Sequence, residues 1–402
     1  MLSQTVYQAR CLLPITRPPI EGGWILIRNG LIAAIGDHNQ SPPQAPIDLG
    51  DVAILPAMVN AHTHLEFSYL HRPIGNPGVK LHDWIGEVVR SRDTSMQGDL
   101  FVPDDTVKHG IKLCHDTCTS LVGDIATTPY PMPDVSTGSK VELIAFAEVL
   151  GLSANRSDAK LLAAQTHVQR FVNCDNVRPG ISPHAPYSTP RDVVRRCVEQ
   201  AIQYRVPVSM HVAESTEERQ LIDCGDGPFA DRLREIQIFS DHLFPWGNDA
   251  TKELLALLSK APQAMIIHGN DLRDDEIDLI SKQRQMTVVY CPRTHAFFGH
   301  REHPVKKLIA AGVRVAIGTD SLASNPDLSI WGEVQWLLDH REDIDWQAIL
   351  AMATLHGADA LARKDLGRLE IGAKARLITI PIDRLELREA FVRGRPSWIE
   401  ID

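Results

Sequence analysis

Two histidines separated by a single residue, His62 and His64, end the short apolar run within the stretch Ile54 to Ser68. That run reads as a strand, and in a strand residues two apart leave the same face, so both imidazoles could grip one ion. Histidine is the commonest ligand of zinc-type metals and binds them as the neutral ring. With 17 histidines in 402 residues, one such pair arises readily by chance. The pair gains meaning from polar residues further along that repeatedly follow an apolar run: His184 after Ile181, His211 after Val206 to Met210, His268 after Met265 to Ile267, and Asp320 after Val315 to Gly318.

Each of these has a plainer reading. Glu214, three past His211, could be a solvent-facing carboxylate in a charged segment, and Asp320 could simply cap a helix. His268 could be a satisfied core histidine, His184 a residue of a Pro-flanked turn, and Trp84 a packed aromatic. What speaks against chance is their shared placement at strand ends, where barrel enzymes build their sites.

The elements that would position them alternate between strand-like and helix-like runs. Candidate strands are Ser120 to Ile125, Val141 to Glu148, Val177 to Ser182, Val206 to Val212, Ala264 to His268, Thr287 to Tyr290 and Val313 to Gly318, besides the one that carries His62. Helical stretches such as Arg191 to Tyr204 and Glu333 to His340 lie between them. Eight strands with intervening helices predict an α/β fold, a distorted (β/α)8 barrel, rather than an open doubly wound sheet. The Gly-x-Gly-x-x-Gly fingerprint of dinucleotide binders is missing.

Both ends read as β. Near the start, Asn29-Gly30 between two apolar runs signals a hairpin; near the end, Ala375 to Ile382 and Ala390 to Ile401 read as strands and turns. The predicted division is a small β-sandwich domain built from residues 1–55 and 363–402 around a barrel of residues 56–362, since termini often meet.

Bulk composition narrows the class. A formal charge of -10, with no long Lys/Arg run, argues against a nucleic-acid partner. No stretch approaches the length of a membrane span, and Met1 to Pro19 lacks the apolar core of a signal peptide. The 7 cysteines are odd in number and scattered, which suits free thiols in a reducing compartment and predicts a cytoplasmic protein. A homo-oligomer is left open: Trp and Leu near the helix starting at Ser329 suit an interface as well as a core.

Taken together, Asn60-Ala61-His62-Thr63-His64, His184-Ala185-Pro186-Tyr187-Ser188, His211-Val212-Ala213-Glu214-Ser215, Ile267-His268-Gly269 and Gly318-Thr319-Asp320-Ser321 resemble the amidohydrolase superfamily, in particular its chlorohydrolase and aminohydrolase branch. The resemblance is ordered along nearly the whole chain. It implies one divalent ion, Zn²⁺ or Fe²⁺, held by His62, His64, His211 and Asp320. It further implies that Glu214 shuttles protons, that His268 holds the water or developing oxyanion, and that Asp320 moves protons to and from the reacting groups. His184 would touch the substrate. No lysine is placed to bridge two ions.

The implied reaction is deamination of an aminated purine-like base or nucleoside by an activated water, since such an ion brings the ionisation of water from a pKa of about 15.7 toward about 7. Hydrolysis of another leaving group, such as chloride from a triazine or an amide, is the alternative within chemistry. A non-catalytic scaffold would be expected to lack ligands or proton carriers, and all six positions are filled here.

Two departures from the branch stand out. Cys291-Pro292-Arg293-Thr294-His295 replaces the usual Cys-Pro, small residue, Asn pattern, and His82 stands where S-adenosylhomocysteine deaminases carry a ribose-clamping acid. The continuation Leu65-Glu66-Phe67-Ser68 is similar to that of 6-aminodeoxyfutalosine deaminases, and Glu66, two past His64, is expected on the same strand face within reach of substrate. Trp84 is the candidate pocket wall.

Overall fold

The computed structural model describes residues 4–96, 103–127, 130, 141–383 and 385–401. Eight parallel strands form a barrel in chain order: Met58–Thr63, Thr119–Ala126, Glu142–Val149, Val177–Pro183, Val208–Val212, Ala264–His268, Met286–Tyr290 and Arg314–Ile317. Each pairs with its chain neighbour, and a parallel bridge between Thr63 and Asp320 closes the last onto the first. These segments read as nearly continuous apolar runs because both faces are covered. Val59, Leu121, Phe146, Ile267 and Val289 fill the interior, while Met58, Met210, Ile266, Val288 and Ile317 join the core shared with the helices outside.

The barrel is distorted where the histidines lie. Pairing of the first two strands shifts register between Met58 and Val59 and again between Asn60 and Thr63, a bulge of the kind that re-aims side chains beside active sites. Gly318 lets the eighth strand close in here. A Cβ on it would sit 2.8 Å from the carbonyl oxygen of His62.

Two smaller sheets lie outside the barrel. One orders Leu31–Gly36, Trp24–Arg28, Gln4–Gln8 and Ile47–Asp48; the other orders Ser397–Trp398, Leu377–Pro381, Val52–Pro56, Cys11–Leu12 and Ile20–Glu21, so both ends of the chain contribute. Leu12, Ile25, Ile27, Ile54 and Leu377 pack between them. The hairpin turns at Asn29 and Gly30 with φ of +52° and +72°, the left-handed pair that a two-residue turn of this hand requires.

Two local expectations need correction, and one left open between interface and core is narrowed. The run from Ile54 is not one strand: Val52–Pro56 belongs to the terminal sheet and Met58–Thr63 to the barrel, with the change at Ala57. Residues Leu387–Arg393 are helical, because Leu387, Ala390 and Phe391 repeat at three and four residues, a helix period. In Ile330–His340, Trp331, Val334, Leu337 and Leu338 are buried, and Trp331 meets Phe391 edge-on at 6.0 Å, so this face is core. No helix among the described residues is long and apolar enough to cross a membrane.

Candidate active site

The C-terminal ends of the strands bring the expected residues together. Donor atoms of His62, His211, His268 and Asp320 lie within 4.8 Å of one another, and all four side chains are buried. His64 joins them: its Nε2 is 3.4 Å from Nε2 of His211 and 3.7 Å from Oδ1 of Asp320. The group therefore offers four imidazoles rather than three, because His268, expected to hold a water or oxyanion, stands as near the centre as the others.

The backbone at these strand ends is strained in a consistent way. Ala213, His268 and Asp320 have φ of +53°, +69° and +55°, a region uncommon for residues with a Cβ and often found at functional sites. Local hydrogen bonds hold each turn. The Asp320 carbonyl accepts from Thr63 Oγ1 at 2.5 Å and from the His64 N–H at 3.1 Å, while His303 Nε2 is 2.9 Å from the His268 carbonyl. Ser324 Oγ donates to Asp320 Oδ2, and Thr294 Oγ1 lies 3.1 Å from Ser324 Oγ.

Both ring nitrogens of His62 are buried and have no hydrogen-bond partner among the described residues. Such atoms are costly to leave unsatisfied, and a cation among these donors would satisfy one of them. The rest of the donor set fits the same reading. Burial and neighbouring imidazoles hold His211 and His268 well below the ordinary histidine range, so both are neutral rings with a lone pair to give. An N/O set of this kind suits zinc and iron alike.

Glu214 stands beside this cluster. Its Oε1 is 3.4 Å from His268 Nε2, and burial first, then the charges of Asp320 and Glu218, push its carboxyl well above the usual range. Burial of this kind favours the protonated form of a carboxyl, the form that can donate. His184 is oriented by Ser188, whose Oγ is 2.6 Å from Nδ1, and its Nε2 is 3.9 Å from Glu148 Oε1.

Glu214, His184 and Glu148 line a cavity of about 810 Å³ together with many apolar side chains, among them Leu81, Trp84, Ile85, Leu233, Phe239 and Leu243. Trp84 lies edge-on to Phe298 and donates from Nε1 to the Ala323 carbonyl at 3.3 Å. At the rim, Val89, Ile236 and Ile238 remain 53%, 51% and 45% exposed.

Not every expected residue arrives. Glu66 lies on a single 3₁₀ turn, Leu65–Phe67, not on the strand; its carboxylate accepts from Thr127 Oγ1 at 2.7 Å, and it is not among the residues lining the cavity. His82 likewise stays outside the cavity and packs beside Phe229. His295 turns away, with Nε2 2.8 Å from the Arg301 carbonyl, and Arg293 pairs with Glu333 and Asp327. Sequence reasoning missed Glu148, although it lies one residue before the end of the third barrel strand, Glu142–Val149, and the strand-end rule would have found it. It also missed Glu218, whose signal is the Ser215-x-x-Glu218 pattern of a helix start. Ser324 carries no local signal.

The sequence profile of the amidohydrolase family matches residues 53–394. A 5-methylthioadenosine/S-adenosylhomocysteine deaminase of Nitratidesulfovibrio vulgaris is 25% identical over 96% of this chain and 85% of its own length. An aminodeoxyfutalosine deaminase of Deinococcus radiodurans is 27% identical over 83% of this chain and 80% of its own length. Among solved structures, Helicobacter pylori aminofutalosine deaminase in complex with methylthio-coformycin superposes with a TM-score of 0.83 at 20% identity, covering 98% of this chain and 97% of that one.

Proposed function

The chain belongs to the amidohydrolase family and is a hydrolase of carbon–nitrogen bonds; within that class, we propose that it is a metal-dependent deaminase of an adenosine-type nucleoside with an extended 5′ arm. The candidate substrate is 6-aminodeoxyfutalosine. The observation that carries this reading is a buried Glu214, its Oε1 3.4 Å from His268 Nε2, beside a histidine and aspartate cluster in a cavity lined largely by apolar side chains. A buried carboxyl whose protonated form is favoured, next to a cation site, suits donation to a ring nitrogen. An apolar wall suits the part of the substrate beyond the reacting ring.

His62, His64, His211 and Asp320 would hold the ion, zinc by preference and iron as the other option, with His268 close enough to join them. When bound, that ion would supply Lewis acidity and lower the cost of ionising water. The remaining work falls to the chain. Asp320 takes one proton from the attacking water as its oxygen bonds to the carbon bearing the amino group, and Glu214 gives its proton to the adjacent ring nitrogen. His268 hydrogen-bonds the new oxygen, and His184 the ring. Asp320 then passes its proton to the amine, which leaves as ammonia, and the new hydroxyl returns a proton to Glu214 as the carbonyl forms. Both carboxyls end as they began.

The relatives named as deaminases of methylthioadenosine, S-adenosylhomocysteine and aminodeoxyfutalosine support the substrate class. Seven free thiols suit a reducing compartment such as the cytoplasm. The test is ammonia release from zinc-loaded protein offered adenosine, those three nucleosides, guanine, cytosine, pterins and a chlorotriazine. Release from the nucleosides with a 5′ extension is expected. Silence across purines, pterins and pyrimidines overturns the reading, and chloride release from the triazine would replace it.

A further inference from the structure

The turn that presents Glu214 is made by a residue outside the reacting group. Ala213 sits at φ +53° between the fifth barrel strand and the helix Thr216–Cys224. From the first turn of that helix, Glu218 reaches back, and its two carboxylate oxygens accept separately: Oε1 from the Ala213 N–H at 2.7 Å, Oε2 from the Glu214 N–H at 3.2 Å. On the other side, Asn270 Nδ2 donates to the Glu214 carbonyl at 2.9 Å. The backbone of Glu214 is gripped at both its N–H and its carbonyl.

We propose that Glu218 is a positioning residue for the proton donor: it fixes the left-handed turn at Ala213 and so aims the Glu214 carboxyl at His268 and the substrate ring. The inference rests on the role assigned to Glu214 above. Helix capping does not account for the Glu218 carboxylate, because the two amides it accepts from, those of Ala213 and Glu214, precede the cap residue Ser215. Nor does ion pairing with its neighbour, because the Arg219 guanidinium gives its hydrogen bonds to Asp271, Thr251 and Glu276. Glu218 is only 1% exposed, and burial raises its carboxyl to about 7. A carboxylate kept in so dry a place, with both oxygens spent on two successive N–H groups, is there for those two bonds. Misplacing a reacting group by about 1 Å costs on the order of 100-fold in rate, which is the scale such a clamp protects.

The test uses Glu218→Gln in the full, zinc-loaded chain on a nucleoside that the wild type deaminates. A glutamine has one carbonyl oxygen and sets its NH₂ against the second N–H. The expected result is a kcat lower by roughly 10- to 100-fold, with KM and metal content near those of the wild type. Adding Ala213→Gly should return several-fold of the lost kcat, because glycine adopts the left-handed turn without a side-chain penalty. A wild-type kcat in Glu218→Gln, a joint fall of kcat and metal content, or no rescue by Ala213→Gly each overturns the proposal. Should Glu218→Gln not fold, Glu218→Asp, which withdraws the charge by one methylene, must show the same split, and a wild-type kcat there overturns it. Amide hydrogen exchange at Ala213 and Glu214 needs no substrate. If the wild type deaminates nothing, the role of Glu214 fails on its own account, and the clamp is still judged by whether these amides are protected in the wild type and released in the variant.

Discussion

Replacing Glu214 by glutamine removes one proton and almost no volume. The side chain is buried, with Oε1 3.4 Å from His268 Nε2, and an amide matches a carboxyl in shape, so neither fold nor cation site is expected to change. What the amide cannot do is donate a proton to the ring nitrogen and recover it from the new hydroxyl. General acid–base transfers contribute on the order of 10²- to 10⁴-fold, which corresponds to roughly 2.7–5.4 kcal/mol of barrier at about 1.36 kcal/mol per tenfold. Glu214→Gln should therefore lower kcat by that factor at unchanged metal content, with KM moved by a few-fold at most. The assay is steady-state ammonia release at saturating nucleoside, with metal measured on the same sample. A kcat within threefold of wild type would refute the assignment of Glu214 as the acid.

Other perturbations separate stability from chemistry. Arg363, 1% exposed, bonds Glu142 at 2.5 Å and Asp365 at 2.8 Å, and Lys374 shares Glu142 at 2.8 Å. Arg363→Met leaves Glu142 with Lys374 alone, so chemical denaturation should show a loss near the lower end of the range for broken buried pairs, about 3 kcal/mol, while kcat of the folded enzyme stays at the wild-type value. His167 is buried, with Nε2 2.8 Å from the Ala145 carbonyl and no hydrogen-bond partner at Nδ1 among the described residues, and burial lowers its pKa to about 4. The unfolded chain takes up this proton first, so stability is held above about pH 6.5 and falls toward pH 4, by on the order of 3 kcal/mol from this group. His167→Gln should flatten the pH dependence of unfolding in that window by up to one proton, and an unchanged slope would contradict the assignment.

What the sequence made legible follows from burial on two faces. The barrel strands are covered inside and out, so their apolar runs stand out, and a polar residue at the end of such a run is conspicuous; this is how His211, His268 and Asp320 were found. Short-range detail was harder. Ile54 to Thr63 reads as one strand because apolar residues continue across Ala57, and only partner choice divides it. Glu66 was misplaced because a single 3₁₀ turn leaves no periodicity to read. Leu387–Arg393 is too short for its helix period to dominate. Ser324 and Glu218 act through contacts set by the folded chain, and the apolar wall comes from Leu81–Met96, Pro228–Glu235 and the segment 236–243, none of which adjoins the ligand motifs in sequence.

The most direct test is the metal content of the purified chain and of His62→Ala after equilibration with zinc and removal of excess by dialysis. The proposed hold of His62, His64, His211 and Asp320 on one cation predicts one tightly held ion per wild-type chain, and its loss, with deaminase activity, from a His62→Ala protein that still folds. Equal metal content in the two proteins would contradict it.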